Sequence, residues 1–122
     1  MPDQYATVQD VKFFLQIGQT NTYHDAEIQA ILDYVNGEIE RMLARRVTLP
    51  LAPDDPLRTP LRFIAAKWAA GIFKERRLPT ESIQVEGGVV TRPFNLGHFW
   101  VVEARKELET LLSNVAPRFN RV

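Results

Sequence analysis

The sequence predicts a mainly α-helical protein, a small bundle of about four helices with one β-hairpin, in a single domain of 122 residues. Three observations predict this class. Apolar residues recur at helical spacing in several stretches, strand-like alternation is confined to one short stretch, and prolines separate the helical stretches. A chain of this length falls within the usual size range of one domain and buries enough surface to fold without cross-links.

The first predicted helix is short. Thr7 and Asp10 have the spacing of a capping box, in which each side chain bonds the backbone N–H of the other residue. Phe14 and Leu15 supply apolar positions of this helix. We expect Gly18 to end it, because glycine readily adopts the left-handed conformation that closes many helices.

The second predicted helix covers about residues 24–45. Thr22 or Asp25 is the expected N-terminal cap, and the charged side chains lie mostly outside one apolar stripe. The stripe consists of Ile28, Ile31, Leu32, Val35, Ile39, Met42 and Leu43.

The third predicted helix follows a loop with four prolines, residues 47–60. Thr59 is the expected N-cap and Pro60 the first helical residue, a position that proline favours. The helix should extend to about Arg77. Its apolar residues occupy more than one side, which indicates contacts on more than one side. Four of them are alanines that allow close helix approach: Ala65, Ala66, Ala69 and Ala70.

A β-hairpin is predicted at about residues 82–91, because alternating residues precede a Gly87-Gly88 turn. A last helix should begin near Asn95 or Gly97 and stop before Pro117, since its apolar residues from Val101 to Val115 keep helical spacing. Residues 116–122 are then expected to form a flexible C-terminal tail.

The charges are unevenly distributed although fifteen basic and fifteen acidic residues cancel. Residues 1–40 contain one basic and seven acidic side chains, whereas residues 41–77 contain nine basic and three acidic ones. These charges could neutralise each other within the monomer. Alternatively, an acidic face could meet a basic face of another subunit, or the basic face could border a nucleic acid.

No catalytic or cofactor motif is evident, so we expect a protein that is not an enzyme and that uses no cofactor or metal. There are no cysteines, and His24 and His98 lack the spacing of a metal site. Gly87-Gly88 has neither the following Lys-Ser or Lys-Thr nor the helix of a phosphate-binding loop. The sequence has no signal-peptide pattern and no apolar run of membrane-spanning length, so we expect a soluble protein.

The order of features resembles a known family. A Tyr-Ala-Thr-x-x-Asp-Val-Lys opening leads to Leu-x-Ile-Gly, an acidic helix ending Leu-x-Arg-Arg, a proline loop and an alanine-rich helix ending Phe-Lys-Glu-Arg-Arg. This pattern, over about residues 4–77, is similar to the head–tail connector (adaptor) proteins of long-tailed bacteriophages and gene-transfer particles.

The resemblance implies a structural adaptor in the virion, made in the host cytoplasm. Such proteins form a ring, typically dodecameric, between the portal protein and the next neck or tail-completion protein. The viral genome passes through the ring without sequence-specific binding, and no catalytic residue is implied. A stopper or tail-completion factor is the main alternative, and a small helical DNA-binding regulator is a third.

Two sets of residues are candidate contacts. The first would form a partner-binding edge and an anchor: Ile83, Val85, Val89, Val90 and Phe119. The second would line the channel or contact an acidic neighbouring subunit: Arg45, Arg46, Arg76 and Arg77. The hairpin could instead only cover its own helices, and the arginines could be ordinary solvated helix ends, where cations are favourable.

Overall fold

The computed structural model describes residues 4–76, 83–84, 90–91 and 96–115. Four helices lie in these ranges, so the mainly α class is confirmed. They are α1 (Val8–Leu15), α2 (Asp25–Leu43), α3 (Arg58–Arg76) and α4 (Leu96–Ser113). Two short strands also occur, β1 (Ile83–Gln84) and β2 (Val90–Thr91).

Helix α1 begins with the predicted capping box. Thr7 Oγ1 accepts from the Asp10 backbone N–H at 3.3 Å, and Asp10 Oδ2 accepts from the Thr7 N–H at 2.9 Å. The predicted stop at Gly18 was wrong. Gln16 closes the helix in the left-handed conformation with φ 60°, and its N–H donates to the carbonyls of Lys12 and Phe13.

Helix α2 places its predicted stripe in the core. Six of the seven stripe residues are fully or almost fully buried, and Met42 is half-buried. The predicted cap was wrong, because the N-cap position is His24 and its side chain makes no capping hydrogen bond. The His24 ring instead packs edge-on against Phe73 of α3 at 5.1 Å between ring centroids.

Helix α3 is the centre of the bundle and packs against α1, α2 and α4. Every residue from Ile64 to Gly71 is buried, as the apolar character on several sides predicted. The helix begins at Arg58, so the predicted N-cap Thr59 is already helical and Pro60 is its third residue. Asp55 supports this earlier start, since its Oδ1 accepts from the Leu57 backbone N–H at 2.9 Å.

Helix α4 runs antiparallel to α3. Gly97 lies against Gly71 near one end, and Glu107 reaches Lys67 further along. Among the predicted apolar residues of α4, Ala104 and Leu108 are buried and Val101 is half-buried. The core therefore lies around α3, with α4 on one side and α1 and α2 completing the cover.

The two strands pair antiparallel, with Ile83 opposite Thr91 and Gln84 opposite Val90. The remaining residues of the predicted hairpin, including Val85, Val89 and the Gly87-Gly88 turn, lie outside the described residues. A complete hairpin over 82–91 therefore stays a prediction.

Candidate functional site

An aromatic surface crosses three helices on one side of the bundle. It consists of Phe13 and Phe14 of α1, Phe63 of α3 and Trp100 of α4. The Phe13 side chain is 78% exposed and Phe63 is 56% exposed, whereas Phe14 and Trp100 are half-buried. Large apolar side chains with this exposure in one patch are typical of a protein–protein contact site.

Ring packing holds this surface in place. The Phe14 ring lies edge-on to Phe63, with 5.2 Å between centroids, and edge-on to Trp100, with 6.0 Å. Edge-to-face pairs at these distances are favourable for aromatic rings. Phe13, the preceding residue of α1, is largely exposed to solvent and lies beside Phe14 and Phe63.

Two grooves border Phe63. The α1–α3 groove, of about 820 Å³, is lined by the apolar side chains of Phe13, Phe14 and Phe63 and by polar side chains that include Asp10 and Arg62. The α3–α4 groove, of about 540 Å³, also includes Phe63 among the residues that line it. Phe63 therefore forms a ridge between two neighbouring grooves.

Two residues that line the α1–α3 groove, Asp10 and Arg62, form an ion pair. Arg62 Nη2 and Nε donate to the two carboxylate oxygens of Asp10 at 2.6 and 3.0 Å. These hydrogen bonds hold the pKa of Asp10 below its usual value and raise the pKa of Arg62. The pair joins α1 to α3 across 52 residues of sequence, so the capping box and the groove share one carboxylate.

Lys67 lies between the aromatic surface and α4. Its Nζ donates to Glu103 at 2.7 Å and to both carboxylate oxygens of Glu107 at 3.0 and 3.1 Å, and it lies 5.6 Å from the Phe63 ring centroid. Desolvation opposes the charged form, but the hydrogen bonds to the two glutamates outweigh it and raise the pKa of Lys67. A buried ammonium thus links the middle of α3 to α4.

Lys12 is a second buried cation that the sequence pattern did not predict. Its side chain is fully buried, its Nζ donates to the Gln19 backbone carbonyl at 3.1 Å and it forms an ion pair with Asp25 at 3.0 Å. It thereby fixes the loop between α1 and α2. The only sequence signal was that it is the one basic residue among the first forty.

The predicted arginine set is divided between the two ends of the bundle. Arg76, at the end of α3, lies 3.6 Å from Glu27 near the start of α2. Arg45 and Arg46 follow the other end of α2, about 28 Å away over a helix of 19 residues. There they line a shallow depression with Glu109 of α4.

Four predicted contact residues lie outside the described residues: Arg77, Val85, Val89 and Phe119. Ile83 and Val90 lie in the paired strands β1 and β2.

Part of the charge asymmetry is neutralised inside the monomer. Arg62 and Arg76 of the basic segment pair with Asp10 and Glu27 of the acidic segment. This agrees with the simpler of the two interpretations of the charge distribution, and it leaves apolar contact as the main chemistry of the candidate surface.

No group of three or more histidine, aspartate or glutamate side chains in residues 4–76 and 96–115 is placed to hold a metal ion. In the same ranges, none of the helices is both long and apolar enough to cross a lipid bilayer.

No protein-family model, curated protein sequence or solved structure matches this chain. Evidence for its function therefore comes from the fold and from the chemistry of its surface.

Proposed function

We propose that this chain is a structural adaptor of a phage head–tail junction, which assembles with copies of itself into a ring between the portal protein and the next neck component. The aromatic surface is the observation that supports it best. A protein with an exposed apolar patch of this kind is suited to bind other proteins.

Ring assembly needs two different contact surfaces on each subunit, because one patch must meet a different patch on the next copy. The aromatic surface supplies one. The exposed side of α2 supplies another of different chemistry, where Tyr34 is 58% exposed and lies between Asp33 and Glu38. We propose that these two surfaces meet between neighbouring subunits of the ring.

Arg45 and Arg46 would then act separately from Arg76. Arg45 and Arg46 are at one end of the bundle and Arg76 is at the other, so a single subunit cannot present all three to one short stretch of the channel. Arg76 is already paired with Glu27, which favours a role for Arg45 and Arg46 near passing DNA or an acidic neighbour.

The strands β1 and β2 would offer a docking edge to the portal or the next neck protein, since a strand edge can extend the sheet of a partner. Deletion of residues 82–91 tests this role. Lost partner binding with an equally stable monomer would support docking, whereas a destabilised monomer would show that the segment covers its own helices.

A stopper or tail-completion protein would need similar contact surfaces, so it is the nearest alternative function. A DNA-binding regulator fits less well, because Arg62, Lys67 and Arg76 are occupied by carboxylates within the monomer. A regulator should bind duplex DNA as a free protein with an affinity that falls steeply with salt.

Substitution of the aromatic surface tests the proposal. Phe13→Asp and Phe63→Asp should abolish self-association and binding to the cognate portal protein, measured by sedimentation velocity. Val102→Asp is the matched control, because Val102 is also exposed but lies outside the aromatic surface. If Phe13→Asp and Phe63→Asp assembled like the unmodified protein, the aromatic surface would have no part in the ring.

A further inference from the structure

The α3–α4 groove lies next to the point where the chain leaves the bundle. Its apolar wall is formed by Pro60, Phe63 and Ile64 of α3 and by Leu111 of α4. It extends along α4 as far as Asn114, which is the first residue after the end of that helix. The groove thus opens directly beside the start of residues 116–122.

Those residues, Ala-Pro-Arg-Phe-Asn-Arg-Val, contain one large apolar side chain, Phe119. Phe119 is five residues beyond Asn114, and a chain of that length spans up to about 17 Å. The groove runs about 16 Å back along α4 from Asn114 to Glu103, at 1.5 Å per helical residue. Phe119 can therefore reach the middle of the groove of its own molecule.

The direction of the chain is also suitable. Val115, the last described residue, still packs against the core, so residues 116–122 begin beside the bundle.

The groove is chemically suited to a phenyl ring. Its two carboxylates, Glu103 and Glu107, are balanced by Lys106 on the rim and by Lys67, which donates to both of them. With no net charge there, the attraction would come from burial of the Phe119 ring against the apolar wall, since a buried aromatic ring removes a large apolar area from water.

We propose that residues 116–122 fold back along α4 and that Phe119 occupies the α3–α4 groove of the same molecule, against Pro60, Phe63 and Leu111. The tail then covers one side of the Phe63 ridge in the free protein. This arrangement concerns the isolated monomer and does not depend on a portal or a ring, so its test is independent of the proposed function.

Disulfide trapping tests the proposal directly, because the natural chain has no cysteine to interfere. One variant combines Thr110→Cys with Asn120→Cys, which leaves Phe119 intact and places one thiol in the groove. The control combines Glu109→Cys with Asn120→Cys. Glu109 is adjacent on α4 and exposed like Thr110, but it borders the depression on another side of the helix.

We expect the Thr110→Cys pair to form an intramolecular disulfide at least about tenfold faster than the Glu109→Cys pair, because docking raises the effective concentration of the tail thiol on one side of α4. Adding Phe119→Ser should remove this preference. Circular dichroism verifies that each variant is folded, and non-reducing gels separate intramolecular from intermolecular disulfides.

Three results would overturn the proposal. Equal rates for the two pairs would show that the tail does not dock in the groove. Disulfides formed only between molecules would show that the groove receives the tail of a second copy. A preference that survives Phe119→Ser would show that Phe119 is not the anchor.

Discussion

Gly71 of α3 and Gly97 of α4 pack backbone against backbone. A Cβ atom on Gly71 would lie 2.7 Å from the Gly97 carbonyl oxygen, and a Cβ on Gly97 would lie 2.6 Å from the backbone nitrogen of Glu75. Backbone atoms cannot move aside as a flexible side chain can. The absence of both side chains therefore allows α3 and α4 to approach closely at this end of the bundle.

Alanine at either glycine should destabilise the protein. We expect Gly71→Ala and Gly97→Ala each to lower the free energy of unfolding by about 2–3 kcal/mol, the cost of overpacking a site that cannot relax. Urea unfolding followed by circular dichroism measures this.

Gly37→Ala is the matched control, because Gly37 lies within α2 and an added Cβ there would meet no atom within 4 Å. Alanine should stabilise the helix at this position by about 0.5–1 kcal/mol. Equal effects at the three glycines would contradict the close approach of α3 and α4.

The Asp10–Arg62 pair should make stability depend on acid pH. The pKa of Asp10 is lowered in the folded protein, so its contribution to stability is present above the pKa of an unfolded aspartate, about 3.9, and is lost as the pH falls through the lower folded value. Arg62→Gln should therefore be less stable than the unmodified protein at pH 6, and the difference should shrink below about pH 4.

Urea unfolding between pH 6 and pH 3 measures this difference. Arg45→Gln is the control, since Arg45 is an exposed arginine after α2 that lines a separate depression with Glu109 of α4. A difference between Arg62→Gln and the unmodified protein that did not change with pH would contradict a role for the ionised Asp10 carboxylate.

Lys67 should stabilise the α3–α4 contact through its two glutamates. Lys67→Met removes hydrogen bonds to charged groups and leaves Glu103 and Glu107 to repel each other, so we expect a loss of about 1–2 kcal/mol. Adding Glu107→Gln should recover part of that loss by removing the repulsion. Denaturant unfolding of the two single variants and the double variant gives the coupling; strictly additive effects would contradict the contact.

Alanine substitutions at the adjacent residues Phe13 and Phe14 of α1 should affect stability and self-association differently. Phe14→Ala should lower the free energy of unfolding by about 2 kcal/mol, because it removes ring contacts with Phe63 and Trp100. Phe13→Ala should change monomer stability little, since the side chain is mostly exposed, yet it should weaken self-association. Thermal unfolding and sedimentation of both variants measure this, and a large loss of monomer stability for Phe13→Ala would contradict the assignment of Phe13 to a contact surface.

The spacing of apolar and capping residues predicted those features of the fold that depend on contacts within a single helix. The stripe from Ile28 to Leu43 and the capping box at Thr7 could both be predicted, because each depends on spacing within one helix. The helix ends at Gln16 and Arg58 could not, because glycine and proline nearby offered equally favourable signals.

The candidate site was mostly missed for a different reason. Phe14 belongs to a helical apolar pattern. Nothing in that pattern shows that the Phe14 ring packs against Phe63 and Trp100, or that Phe13 lies exposed on the same surface. Likewise, the partners of Lys67 are 36 and 40 residues away in sequence. Contacts across that distance follow from how α3 and α4 pack, which spacing within either helix does not reveal.

The most direct test of the adaptor proposal is the solution mass of the protein by light scattering, alone and mixed with the purified cognate portal protein. The proposal predicts that the chain joins the portal in matched ring stoichiometry and that Phe13→Asp prevents this while Val102→Asp does not. Failure to bind the portal at any salt concentration, with the protein folded, would contradict the adaptor function and direct attention to the stopper and DNA-binding alternatives.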